Sequence, residues 1–406
     1  MNNKTLSFME RIMKKILISI VFSIFVVFPS FGETVKLGII FGYTGPIESL
    51  TPDMAKASEL AISEVNKSGK FMSGNAKIKG VRADSTCVDA AAATAAAERL
   101  VTSDKVNAIV GADCSGVTTA ILQNVAMSNG IVMISPSATS PALSTLPDNG
   151  LFFRTAPSDA RQGEIVAKIL IEKGLKKAAM TFTNNDYGKG LAESIKKNYQ
   201  SMGGKITISA SHEDGKADYG AEVSALAQAG GDILIVAGYL DQGGKGVIQG
   251  SLDAGAFDKF FLPDGMIGDS LPKAIGPDLN GSIGSIPGTD SPGAKKFASL
   301  AKSNGFKAGP FSQESYDAAA LIILAMQSAK STKSKDLKDH VMDVANAPGE
   351  KIYPGELAKG ISLLQSGKKI DYVGASAVEL IGGGESSGSF REILIKGGKV
   401  TTAGYR

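Results

Sequence analysis

The 406-residue sequence predicts an α/β protein of two parallel sheets, each covered by helices on both faces. Short apolar runs alternate with segments of helical spacing along nearly the whole chain, which is the pattern of strands buried on both faces of a parallel sheet. The chain exceeds what one hydrophobic core usually supports, so two domains are expected. The alternation breaks at residues 151–157 (LFFRTAP), the expected first crossing between domains, and again at the Gly-, Ser- and Pro-rich residues 281–292.

Residues 1–32 read as a signal peptide: a basic Met13-Lys14-Lys15, an apolar run at 16–28 and small residues around Ser30-Phe31-Gly32. That run is too short for a bilayer, which needs about 20 residues. Met13 is an alternative initiator. Cleavage removes Lys4, Arg11, Lys14 and Lys15 against Glu10, so the formal charge of +3 falls to 0. A neutral exported chain has no electrostatic claim on nucleic acid or lipid, and small molecules or proteins become the expected partners.

In chain order, strands are expected at 35–41, 78–84, 107–111 and 131–135, with helices at 53–66, 89–102 and 117–128 between them. A helix at 158–173 opens the second series. Its strands are 177–183, 205–211, 232–239 and 259–263, alternating with helices at 188–200, 219–229 and 244–254. Helices at 293–304, 312–331 and 335–345 follow, then apolar runs at 372–381 and 390–395. The pattern alone does not say to which domain these last elements return.

The chain is organised around residues 111–141, where two strand-like runs each end in a small polar loop, Asp113-Cys114-Ser115-Gly116 and Ser135-Pro136-Ser137-Ala138-Thr139. Loops after parallel strands line the ligand crevice, and a helix starting there turns unpaired amides toward an anion. Ser115 and Thr139 are placed to add hydroxyls for a carboxylate, although ordinary N-capping explains either one equally well. Cys87 and Cys114 are the two cysteines of an exported chain, most simply a disulfide; no second pair or nearby histidine argues for a metal. His212 and His340 lie in charged stretches and are expected to be solvated, with no GxSxG or HExxH around them. Gly244, Gly246 and Gly250 space a dinucleotide-like loop one residue too wide. No enzyme activity and no cofactor are expected.

Several motifs together sharpen this: KLGIIFGYTGPIES from Lys36, CSG at 114–116, SPSATSP at 135–141, FFRTAPSD at 152–159, NNDYGKGLAES at 184–194, AGYLDQG at 237–243 and FLPDG at 261–265. On them the chain resembles the branched-chain amino acid receptors of ABC transporters, a family of periplasmic solute-binding proteins. The resemblance implies the type I periplasmic binding fold, two Rossmann-like lobes joined by a three-segment hinge. One lobe would be 34–157 with 288–376, the other 158–287 with 377–406. It implies the ligand carboxylate on Ser115 and Thr139, and the ammonium on the Ser137 carbonyl and on Asp264, where the family carries glutamate. Without the resemblance, Asp264 reads as a turn residue before Gly265.

Tyr187, Tyr239 and Cys114 would contact the ligand, and Leu50, Phe311 and Glu314 would shape its side-chain pocket. Leu50 replaces a family aromatic, and helix capping accounts for Glu314 as well. The implied ligand is a free α-amino acid, neutral, branched-chain or of a broader polar range, passed by a periplasmic monomer to an ABC permease. Urea, amides, or aromatic or keto carboxylates are the alternative on the same scaffold.

Overall fold

The computed structural model describes residues 33–406; the expected signal peptide lies outside the described residues. The chain first lays down β1 (Glu33–Phe41), β2 (Ala76–Asp84), β3 (Ala108–Gly111), β4 (Met133–Ser135) and β5 (Phe152–Pro157) in one sheet. A second sheet receives β6 (Lys177–Thr183), β7 (Lys205–His212), β8 (Ile233–Ala237), β9 (Phe260–Leu262) and β10 (Ile283–Pro287). Next come a separate parallel pair, β11 (Glu350–Ile352) and β12 (Ile370–Tyr372), then β13 (Leu380–Ile381) and β14 (Glu385–Ser386) back in the first sheet. Finally β15 (Phe390–Lys396) and β16 (Lys399–Tyr405) close the second.

Both sheets repeat one plan. Their orders are β13-β14-β5-β4-β3-β1-β2 and β16-β15-β10-β9-β8-β6-β7, so the order 2-1-3-4-5 of the first is copied by 7-6-8-9-10 of the second. Central strands are buried throughout, as in Ile109 and Val110 of β3 or Leu234 and Ile235 of β8, which is why they read as unbroken apolar runs. Helix Ser312–Ala329 packs against helices Thr51–Ser68 and Ser334–Ala345 and is buried from Ser315 through Gln327. A helix enclosed on all sides needs no polar stripe, and its sequence carries none there.

The chain changes lobe three times: after β5, after β10, and between β14 and β15. The third crossing therefore falls after Ser386, ten residues later than the boundary drawn at 376/377. The run 372–381 is not one strand; Gly374 (φ 61°) and Ala377 (φ 54°) turn the chain, and 380–386 return as a short hairpin beside β5.

His212 also departs from expectation. It ends β7 facing inward, is 1% exposed, and its Nδ1 lies 2.8 Å from the Thr181 hydroxyl. Burial pushes the imidazole down to about 4, so it is neutral at physiological pH. Its charged sequence neighbours belong to the loop beyond the strand, while the pleat sends this one side chain inside. His340 is half-buried and bonds the Ser328 hydroxyl at 3.0 Å. The glycines of helix Gly243–Asp253 are packing requirements: a Cβ at Gly244 would sit 2.3 Å from the Met266 sulfur, and one at Gly246 would sit 2.3 Å from the Tyr219 ring.

Candidate functional site

The first-lobe face is assembled from the loops after β1 to β4. Cys87 and Cys114 form a disulfide that joins the loops after β2 and β3. Beside it, the buried Asp113 carboxylate accepts from the Gly42 amide at 2.6 Å and the Ser85 hydroxyl at 2.8 Å, so one side chain ties three loops together. Burial pushes that carboxyl up, and the same donors oppose the rise. Ser115 opens helix Ser115–Ile121, and its hydroxyl accepts from the Ser140 amide at 3.1 Å. Ser137 donates to the Asp113 carbonyl at 2.9 Å.

Arg154, fully buried on β5, fixes the loop after β4. Its guanidinium donates to the Ala138 carbonyl at 3.1 Å and the Ser140 carbonyl at 2.9 Å, which flank Thr139. The other terminal nitrogen reaches the Ser144 hydroxyl and Glu385 Oε1, both at 2.8 Å. The Thr139 hydroxyl is held in place this way and has no hydrogen-bond partner in the protein.

Opposite stand three second-lobe side chains at strand ends. Tyr187 begins the helix after β6, Tyr239 follows β8, and Asp264 follows β9. The two tyrosine rings stack at 5.2 Å and 16°. The Tyr187 hydroxyl donates to Asp264 Oδ1 at 2.6 Å, and the Gly265 amide donates to the same oxygen at 2.9 Å. Burial pushes the Asp264 carboxyl up while these donors hold it back. Gly265 does more than turn the chain, because a Cβ there would meet the Gly238 carbonyl at 2.6 Å and the Tyr187 hydroxyl at 2.8 Å.

Sequence reasoning missed Asp159. It is the first residue of helix Asp159–Glu172, at the first crossing, fully buried, and neither carboxyl oxygen has a hydrogen-bond partner. The Thr139 hydroxyl lies beside it but outside hydrogen-bond geometry. Burial, and then the neighbouring Asp264 carboxylate, hold it well above the usual carboxylate range. The available signal was Ser158, which already caps this helix by accepting from the Ala160 amide at 3.2 Å and so leaves Asp159 without a capping duty.

These faces enclose an interlobe cavity. Cys114, Ser115 and Ser137 line one side, Tyr187, Tyr239 and Asp264 the other, and Ile47, Leu50 and Phe311 form an apolar wall. The cavity's volume is about 20 Å³, room for about one water. A ligand of amino-acid size therefore enters only when the lobes part. Thr139 and Asp159 are not part of the cavity's lining. Glu314 does not reach it: the residue sits in the first turn of helix Ser312–Ala329, its carbonyl accepts from the Thr155 hydroxyl at 2.9 Å, and burial pushes its carboxyl up to about 8. At the mouth the lobes are joined by Ser49 donating its amide to Asp241 at 3.0 Å, by the Asp241 amide on the Pro46 carbonyl at 3.1 Å, and by Lys307 with Asp269 at 2.6 Å. Among the described residues no cluster of His, Cys, Asp and Glu is arranged to hold a metal.

The family model for periplasmic binding proteins matches residues 34–348. A leucine-, isoleucine-, valine-, threonine- and alanine-binding protein of Pseudomonas aeruginosa is 30% identical over 257 residues, 63% of this chain and 67% of its own length. The leucine-binding protein LivK of Thermotoga maritima has a similar structure, with a TM-score of 0.78 at 20% identity, over 91% of this chain and 98% of that one. So does an ABC-transporter solute-binding protein of R. palustris in complex with benzoate, with a TM-score of 0.73 at 19% identity, over 92% and 96%. At such identities the structures speak for the fold, and the family match and the curated relative carry the assignment. The chain belongs to the periplasmic binding protein family, as a solute-binding receptor and not an enzyme.

Proposed function

We propose that this receptor binds a free α-amino acid between its lobes and delivers it to the membrane subunits of an ABC importer. The observation that supports this most is the pairing of opposite chemistries across one cavity: the Ser115 hydroxyl on one face and the buried Asp264 on the other, with the partnerless Thr139 hydroxyl and Asp159 carboxyl as buried neighbours of each other outside the lining. The Asp264 carboxylate raises the proton affinity of its buried neighbour Asp159, and a ligand ammonium on Asp264 supplies the missing positive charge. The ligand carboxylate then accepts from Ser115, Thr139 and nearby amides, each bond charge-assisted. The Ser137 carbonyl is a second acceptor for the ammonium, and the Tyr187–Tyr239 stack excludes water.

In this reading capture begins on the first lobe. Closure follows because the contacts of Asp264 and the tyrosines with the ligand exist only when the lobes meet. The P. aeruginosa relative is named for five uncharged amino acids, which fits the apolar wall of Ile47, Leu50 and Phe311. Export to the periplasm and a monomeric state complete the proposal. Thermal-shift titration tests it, since a ligand that binds only the native state raises the melting temperature. Leucine, alanine and threonine are expected to raise it for the wild type and not for Asp264→Ala. Shifts from benzoate, keto acids, urea or amides alone would keep the fold and replace the ligand.

A further inference from the structure

Resting on the amino-acid reading of the cavity, we infer that its side-chain compartment continues past Leu50 into a second groove where Arg391 receives a distal carboxylate, so that the receptor also takes acidic amino acids. Leu50 lines both spaces. Beyond it lies a groove of about 170 Å³ between Ser49, Asp53 and Pro310 of the first lobe and Gly268, Asp269 and Arg391 of the second. A Cβ at Gly268 would lie 2.9 Å from Leu50 Cδ2, so a glycine of the second lobe lies close against this leucine. Leu50 is the lining residue that the two spaces share.

The direction follows from the cradle. A carboxylate on Ser115 and Thr139 with an ammonium on Asp264 leaves the side chain to meet Ile47, Leu50 and Phe311, where the groove begins. Charge in the groove is matched except at one place. Lys307 pairs with Asp269 at 2.6 Å, and Lys56 pairs with Asp53 at 3.0 Å. Arg391, on β15 just past the third crossing, is half-buried, and among the described residues its polar partner is the Thr402 hydroxyl at a long 3.4 Å. Asp53 and Asp269 are the carboxyls of the groove, and the titratable groups whose fields reach Arg391 are Glu314 and the Tyr405 phenol. Asp53 and Asp269 are paired with lysines, and the buried Glu314, pushed up to about 8, is largely protonated at pH 7. A guanidinium left with spare donors binds a carboxylate through two parallel bonds.

Isothermal titration of the wild type, Arg391→Met and Arg391→Lys with L-glutamate, L-glutamine and L-leucine tests this. The wild type is expected to bind glutamate at least about tenfold more tightly than the uncharged isostere glutamine. Arg391→Met should remove that preference while leucine affinity stays within about twofold, which also shows that the variant is folded; Arg391→Lys should keep part of it. Leucine binding without glutamate binding, or equal affinity for glutamate and glutamine, overturns the inference and leaves the amino-acid reading standing. Equal losses for leucine and glutamate in Arg391→Met also overturn it. Failure of all three amino acids to bind the wild type overturns both.

Discussion

The two faces of the cleft are built on opposite electrostatic plans. The first-lobe face is held from behind: Asp113 ties three loops, Arg154 holds the carbonyls on either side of Thr139, and a disulfide joins two of the loops. It offers hydroxyls already fixed in place. The second-lobe face and the first crossing instead bring two carboxyls, Asp264 and Asp159, close enough that Asp264 raises the proton affinity of Asp159, while burial raises both. The first face carries a carboxyl, Asp113, already tied by two donors, so it gains little from closure, whereas on the other side Asp159 has no donor and its neighbour Asp264 gains a counter-charge. The energy that closes the lobes is therefore expected to come mainly from the second face.

The largest effect should come from disturbing the scaffold of the first face. Arg154→Met leaves Glu385 and two buried carbonyls without their donor, at a cost of about 3–5 kcal/mol, read as a lowered denaturation midpoint. An unchanged midpoint would mean that the loop after β4 is held by something else. Removing the disulfide by Cys87→Ser with Cys114→Ser frees a loop spanning 27 positions, roughly 3–4 kcal/mol in the loop-entropy picture. A loss confined to stability, with ligand affinity retained, would show that Asp113 alone can hold the three loops.

Ser115→Ala is a smaller cut. It removes one hydroxyl that already accepts from the Ser140 amide and would donate to a charged carboxylate, so binding should weaken by about 1.5–3 kcal/mol, visible by titration calorimetry. A loss as large as that of Asp264→Ala would erase the contrast between the faces.

The most graded effect is on pH. Glu314 has its carboxyl raised from 4.5 to about 8, so the folded state favours the neutral form. Its contribution is fully present below pH 4.5 and is lost as pH rises from there to about 8. Wild-type melting temperature should decline across pH 5–8 more steeply than that of Glu314→Gln; parallel curves would assign the slope to other groups.

Much of this was legible in the sequence because it depends on local pattern. Strands buried on both faces are apolar without interruption, and the loops that end β3 and β4 announce themselves by their small polar residues. Leu50, Phe311, Tyr187, Tyr239 and Asp264 were placed by motif resemblance, and they line one cavity. What stayed hidden depends on distant chain segments meeting. Asp159 reads as an ordinary first-turn acid until its partnerless oxygens are seen beside Asp264. Arg154 reads as a strand residue, and only Glu385, brought back by β14, explains how its charge is matched there. His212 misled for the reverse reason, since the charges around it in sequence face elsewhere. Glu314 likewise stands near the cavity in sequence logic and apart from it in space.

The most direct measurement is a calorimetric titration of the wild type with L-leucine and with its amine-free counterpart, 4-methylpentanoate, at pH 7.5 and pH 5. Binding an ammonium requires ionised Asp264, whose carboxyl burial raises to about 6, so leucine affinity should fall as pH drops through that value while the amine-free acid binds poorly at both. Equal affinity for the two ligands, unchanged or stronger at pH 5, would contradict the acidic face as the seat of recognition.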